Sequence, residues 1–107
     1  MKILRIVRLQ FSVQNAQEFE RYFASVRKHI AEFPGCLELR HFRDAEHAGV
    51  FYTYSLWRSA EDLQAYRNSE LFRTAWQSVK PLFGAPAQAF SLVWEEQTER
   101  QTEQTEE

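Results

Sequence analysis

The sequence predicts an α+β fold in the order β-α-β-β-α-β, a four-stranded antiparallel sheet with its helices on one face. Three observations carry this. β-prone stretches occupy 3–11, 36–42, 50–57 and 87–94. Segments with apolar residues at helical spacing fall between the first and second of them and between the third and fourth. At 107 residues the chain is one domain with a modest core, too short for two.

The first strand places Ile3, Val7, Leu9 and Phe11 on one face and Leu4 and Ile6 on the other. A strand apolar on both sides is covered on both sides. Asn15 followed by Glu18 forms a capping box, predicting a helix to about Phe33. Its stripe is Phe19, Tyr22, Phe23, Val26, Ile30 and Phe33, and Pro34-Gly35 stops it. "CLELRHF" from Cys36 and "VFYTYSLW" from Val50 to Trp57 then read as a hairpin across the polar turn "RDAEHAG". Ser59 with Asp62 caps the next helix, which carries Leu63 and Tyr66. Asn68-Ser69 either breaks it or re-caps a second segment with the stripe Leu71, Phe72, Ala75, Trp76 and Val79. Pro81, Gly84 and Pro86 make a loop before the last strand, "AQAFSLVW".

This order is the ferredoxin-like split arrangement. One sheet face takes the helices. The other is also largely apolar, and too few residues remain to cover it, so a homodimer packed sheet against sheet is expected. Residues 1–96 form the folded domain. The stretch 97–107 is a polar tail repeating Gln-Thr-Glu with no apolar anchor, and is expected to be disordered.

Composition narrows the function. Nine Phe, four Tyr and three Trp make the chain 15 % aromatic, which suits a core, an interface or a ligand site. The net charge of -2 comes from the tail, since residues 1–96 carry 12 basic and 11 acidic side chains. That balance leaves no footprint for nucleic acid. No run of about 18 apolar residues predicts a membrane span, and Arg5 and Arg8 interrupt the apolar N-terminus that a signal peptide would need. Cys36 is the single cysteine, so no internal disulfide forms, and a reducing cytoplasmic setting is expected. The three glycines are not grouped, so no phosphate-binding loop is present, and the three histidines lack metal-ligand spacing.

Over residues 1 to 95, the element order, "FPGCLELR" closing the first helix and "FYTYSLWRSAEDLQAYRNSELF" resemble the antibiotic biosynthesis monooxygenase (ABM) family. The telling piece is a Trp ending the third strand, then Ser-x-x-Asp/Glu, an aromatic or His, and "S-E-x-F". The resemblance implies a dimeric α+β barrel with a pocket between sheet and helices. It implies, for part of the family, cofactor-independent oxygenation of quinol- or anthrone-like substrates, and for another part haem degradation. Haem-degrading relatives carry Trp, His and Asn where this chain has Tyr66, Trp76 and Val7; an indole cannot ligate iron, so that mechanism is disfavoured. The polyphenol-oxidising branch keeps the strand-end Trp, matched by Trp57, while its Asn is Thr53 here and its helical Tyr is Leu63.

The expected activity is therefore a monooxygenase of this type acting on a small aromatic substrate without a cofactor, with a non-enzymatic dimer binding a small molecule or haem as the alternative. A purely structural dimerisation domain is a third reading, favoured by a well-filled interior. The candidate base is His41, a mid-strand imidazole sharing a face with Leu37 and Leu39; the plainer reading is a buried or interfacial histidine satisfied by one hydrogen bond. The candidate substrate-binding residues are Thr53, Trp57, Tyr66 and Trp76. Each also has a packing role open to it, because aromatic stripes at this spacing build cores. Phe51, Thr53 and Trp57 oppose Tyr52, Tyr54 and Leu56 along one strand, and alternation alone leaves open which set faces the helices. Arg40 and Glu38 share the strand face opposite His41, placed for an ion pair across the dimer.

Overall fold

The computed structural model describes residues 1–95, 98 and 100. The expectation for the polar tail therefore lies almost wholly outside the described residues. Four strands, β1 (Ile3–Gln10), β2 (Cys36–Arg43), β3 (Val50–Trp57) and β4 (Gln88–Val93), form one antiparallel sheet in the order β2-β3-β1-β4. Helices α1 (Val13–Ala31), α2 (Ala60–Arg67) and α3 (Glu70–Val79) pack on one side, and a 3-10 turn (Lys80–Leu82) leads toward β4. This is the ferredoxin-like α+β arrangement.

The two ends of the helical layer are built by local chemistry. Ser12, not Asn15, caps α1: its Oγ accepts from the Asn15 amide at 3.3 Å. The Asn15 side chain is engaged elsewhere, donating through Nδ2 to the Leu82 carbonyl at 3.1 Å and tying α1 to the 3-10 turn. The helix ends at Ala31, short of Phe33, because Gly35 turns the chain with φ +90, a left-handed conformation that favours glycine. Ser59 Oγ caps α2 by accepting from the Asp62 amide at 3.1 Å. Ser69 re-caps the chain as a separate α3, accepting from the Phe72 amide at 3.1 Å.

Strand register decides which residues meet the helices. Leu9 pairs with Phe51, Val7 with Thr53, Arg5 with Ser55 and Ile3 with Trp57, so these side chains share the helix-facing side. Leu39 and His41 join them across β2, opposite Ser55 and Thr53. A register shift between Cys36 and Glu38 removes Leu37 from that alternation and leaves it exposed, so it does not share the face of Leu39 and His41. Glu38 and Arg40 lie on the far face and pair with each other along the strand.

The core sits between α1 and the β3–β1 half of the sheet. Phe19, Phe51 and Trp57 are its most deeply buried large side chains. Phe11 stacks on Phe19 at 4.6 Å between ring centroids, and Phe19 meets Phe51 at 5.3 Å. Burying one such ring contributes on the order of 1.5–3 kcal/mol. All six residues of β4, by contrast, are exposed. The helical layer covers the β2–β3–β1 side and leaves space over β1 and β4.

Candidate functional site

That space is a cavity of about 610 Å³ between the sheet and the helices, within the range of small-molecule sites. Its floor is the helix-facing side of β1, β3 and β4: Arg5, Val7, Thr53, Ser55 and Ala89. Its roof is the inner face of α2 and α3, where Leu63, Tyr66, Phe72, Trp76 and Val79 recur at helical spacing. Tyr22, Val26 and Ile30 of α1 close one side, and Phe83, Pro86 and Ala87 another. The cavity runs from buried Leu9, Phe19 and Val79 out to exposed Arg67, Lys80 and Ala89, so it opens on the molecular surface.

The aromatic rings line up along its wall. Tyr66 meets Phe72 edge-on at 5.3 Å, Phe72 stacks with Trp76 at 6.1 Å, and Trp76 meets Phe83 edge-on at 5.4 Å. Behind this wall Trp57, 0 % exposed, stacks under Tyr66 at 4.9 Å and meets Phe33 edge-on at 6.3 Å. Its indole Nε1 donates to Ser55 Oγ at 2.9 Å. Trp57 is thus outside the cavity lining; it fixes Tyr66 and Ser55, which are in it.

Of the residues predicted from the sequence, Thr53, Tyr66 and Trp76 come together in this lining. Burial, with smaller contributions from Cys36 and Tyr22, pushes the Tyr66 phenol well above its ordinary pKa and keeps it protonated. Among the described residues its hydroxyl has no hydrogen-bond partner, which leaves a donor available to a ligand.

His41 is placed apart. It lies on the helix-facing side of edge strand β2, stacked on Phe51 at 5.4 Å and against Phe23 at 4.7 Å and Phe19 at 5.8 Å. It is not part of the cavity lining; it borders a smaller hollow with Arg27, Lys28 and Arg40, which shares Phe23 and Leu39 with the cavity. Burial lowers its pKa; Glu20 opposes that shift, and Arg27 and Arg43 add to it. Its Nδ1 is buried without a hydrogen-bond partner.

Of the polar residues in the lining, Arg5, Tyr22, Ser55, Arg67 and Lys80 were not candidates from the sequence. Arg5 sits on the floor, its Nη1 donating to Ser91 Oγ of β4 at 2.8 Å. Burial and the charge of Arg67 hold its guanidinium below the usual arginine pKa, though still protonated. The strand alternation that puts Arg5 with Val7 was legible; the contact with Ser91 depends on β1–β4 register.

These features define a layered ferredoxin-like α+β domain with an apolar cavity under its helices and a few convergent polar groups. Comparison with known proteins gives the family. Residues 3–78 match the model of the antibiotic biosynthesis monooxygenase family, and the chain belongs to that family. No curated protein matches the chain in sequence. Among solved structures, a candidate antibiotic biosynthesis monooxygenase from Caulobacter crescentus is 24 % identical, with a TM-score of 0.83 over 89 % of this chain and 91 % of the other. A Mycobacterium tuberculosis protein superimposes with a TM-score of 0.84 at 15 % identity, over 92 % of this chain and 100 % of the other. A candidate monooxygenase from Deinococcus radiodurans gives 0.85 at 14 % identity, over 94 % and 99 %. At these identities the likeness establishes the fold.

Proposed function

We propose that the protein is a cofactor-independent monooxygenase for a small, electron-rich aromatic substrate of the quinol or polyphenol type, acting as a homodimer. The observation that carries the reading is the aromatic-walled cavity with Tyr66 and Thr53 directed into it. Family membership supports the oxygenase class. The substrate itself supplies the electrons. For an anthrone, the ring CH₂ becomes C=O, one oxygen atom of O₂ enters the product and the other leaves as water, so no external reductant is required. The chain's contribution is to exclude bulk water, stack the ring against Phe72 and Trp76, and donate a hydrogen bond from Tyr66 to the substrate oxygen. A cavity of this size argues against the purely structural reading, which needs a filled interior.

The test is oxygen uptake with anthrone and with a naphthohydroquinone. Catalysed uptake above the spontaneous rate, lost in Trp76→Ala and reduced about tenfold or more in Tyr66→Phe, is the expected result. Binding of either compound without accelerated uptake would replace this reading with the non-enzymatic one. One observation favours that second reading: neither an imidazole nor a carboxylate lines the cavity among the described residues.

A further inference from the structure

The charges around the cavity are all of one sign. Arg5 on the floor, Arg67 at the end of α2 and Lys80 in the 3-10 turn line it, and no acidic residue does among the described residues. The ion pairs of the described residues use other cations: Arg40 with Glu38, Arg58 with Asp62 and Arg73 with Glu70. Among the described residues Arg5 finds only the neutral Ser91 hydroxyl as a side-chain partner. Arg5 on the cavity floor and Arg67, exposed at its mouth, lie close enough to repel one another, and no carboxylate among the described lining residues offsets that repulsion. Such a site is relieved by an anion, and guanidinium geometry suits a planar oxygen pair or an aryl oxide.

We infer that the cavity takes its ligand as an anion, an aromatic carboxylate or phenolate whose ring lies along Phe72 and Trp76 while its negative oxygen lies between Arg5 and Arg67. This rests on the cavity being the substrate site and adds the charge state of what it accepts. The apolar wall selects for ring area. The arginine pair rejects neutral analogues of the same shape, since they would leave both guanidiniums unneutralised. The body of the chain is nearly charge-balanced, so the preference belongs to this site and not to a general attraction for anions.

The experiment uses the full chain and two probes of matched shape, 2-naphthoate and 2-naphthamide, titrated calorimetrically at low and at moderate salt. The expected result is that naphthoate binds about tenfold tighter or more than naphthamide, with the gap narrowing as salt rises. Arg5→Gln and Arg67→Gln should each remove most of the gap, chiefly by weakening naphthoate. Arg5→Lys should keep part of it, and Arg73→Gln, remote on the surface, should keep all of it. Equal binding of the two probes overturns the anion inference and leaves the cavity as a neutral-ligand site. Absence of binding by both overturns the cavity reading as well. A naphthoate preference untouched in both Gln variants also overturns the inference, because the arginines would not be its source.

Discussion

At the scale of single residues, the cavity and the core make different use of similar side chains. Tyr66 rests its ring on Trp57, and among the described residues its hydroxyl has no hydrogen-bond partner. Tyr66→Phe should therefore change unfolding free energy by less than about 0.5 kcal/mol. Tyr66→Ala opens a void beside a fully buried indole and should cost about 3 kcal/mol in urea denaturation. His41 follows another logic, because the native state disfavours its protonated form. The unfolded chain takes up the proton first, at about the ordinary value of 6.5. Stability therefore falls as pH drops below that value and levels off once the native imidazole is protonated too. His41→Phe should flatten the slope below pH 6.5 in pH-dependent denaturation, add about 1 kcal/mol by removing an unpartnered buried nitrogen, and leave naphthoate affinity in the cavity unchanged. A loss of affinity in that variant would connect His41 to the site after all. Thr53, Tyr66 and Trp76 were candidates through the family resemblance; helical spacing put Tyr66 and Trp76 on apolar faces, while alternation alone left open which side Thr53 takes. The separation of His41 was not, since it depends on which rings of α1 fold over β2. Arg5 entered the sequence reading as a charge interrupting the apolar N-terminus; its contact with Ser91, spanning 86 residues of sequence, is a tertiary fact.

At the scale of elements, the break between α2 and α3 shapes the cavity roof. A continuous helix would carry one stripe in one direction. The Ser69 cap starts a new axis, and Phe72, Trp76 and Val79 then face the sheet from a segment of their own. Ser69 Oγ accepts from the Phe72 amide and also donates to the Tyr66 carbonyl at 2.6 Å, so one hydroxyl holds both sides of the junction. Ser69→Ala should cost about 1 kcal/mol in denaturation and weaken naphthoate binding about threefold by loosening the wall. Ser12→Ala, a cap of similar strength on the far helix, should lower stability without that loss of affinity. Calorimetry on the two variants side by side separates positioning from stability. The Asn68-Ser69 break and the Ser59 cap were readable because their chemistry is local. The N-cap of α1 was misread at Asn15 because the Asx signal there serves a contact with Leu82, 67 residues away. The register shift at Leu37 carries no local signal; it follows from fitting β2 onto β3 beside the glycine turn.

At the scale of the molecule, one face of the sheet carries the helices and the other carries apolar side chains into solvent. Phe42, Phe90 and Leu92 are 47 %, 55 % and 47 % exposed, and strand register puts them on the side of Leu4, Ile6 and Tyr54. Phe42 and Tyr54 pair edge-on at 6.4 Å across β2 and β3, so apolar rings extend toward both sheet edges. All four strands thus contribute apolar side chains to this face, interspersed with Arg8, Glu38 and Arg40, a mixture that suits contact with a partner. An apolar second face was foreseeable from the two-sided apolar pattern of the first strand; which strand would present the most exposed rings was not. A second copy related by a two-fold axis would place the same residues opposite themselves and close both faces at once. Sedimentation equilibrium should then give a dimer at micromolar concentration. Phe90→Glu with Leu92→Glu would set like charges against each other across the axis, and should raise the dissociation constant about a hundredfold or more. The wild-type thermal midpoint should rise with protein concentration, and that of the double variant should not. A monomeric wild type with a concentration-independent midpoint would show that the exposed face serves some other contact, while the cavity on the opposite face would keep its own ligand preference.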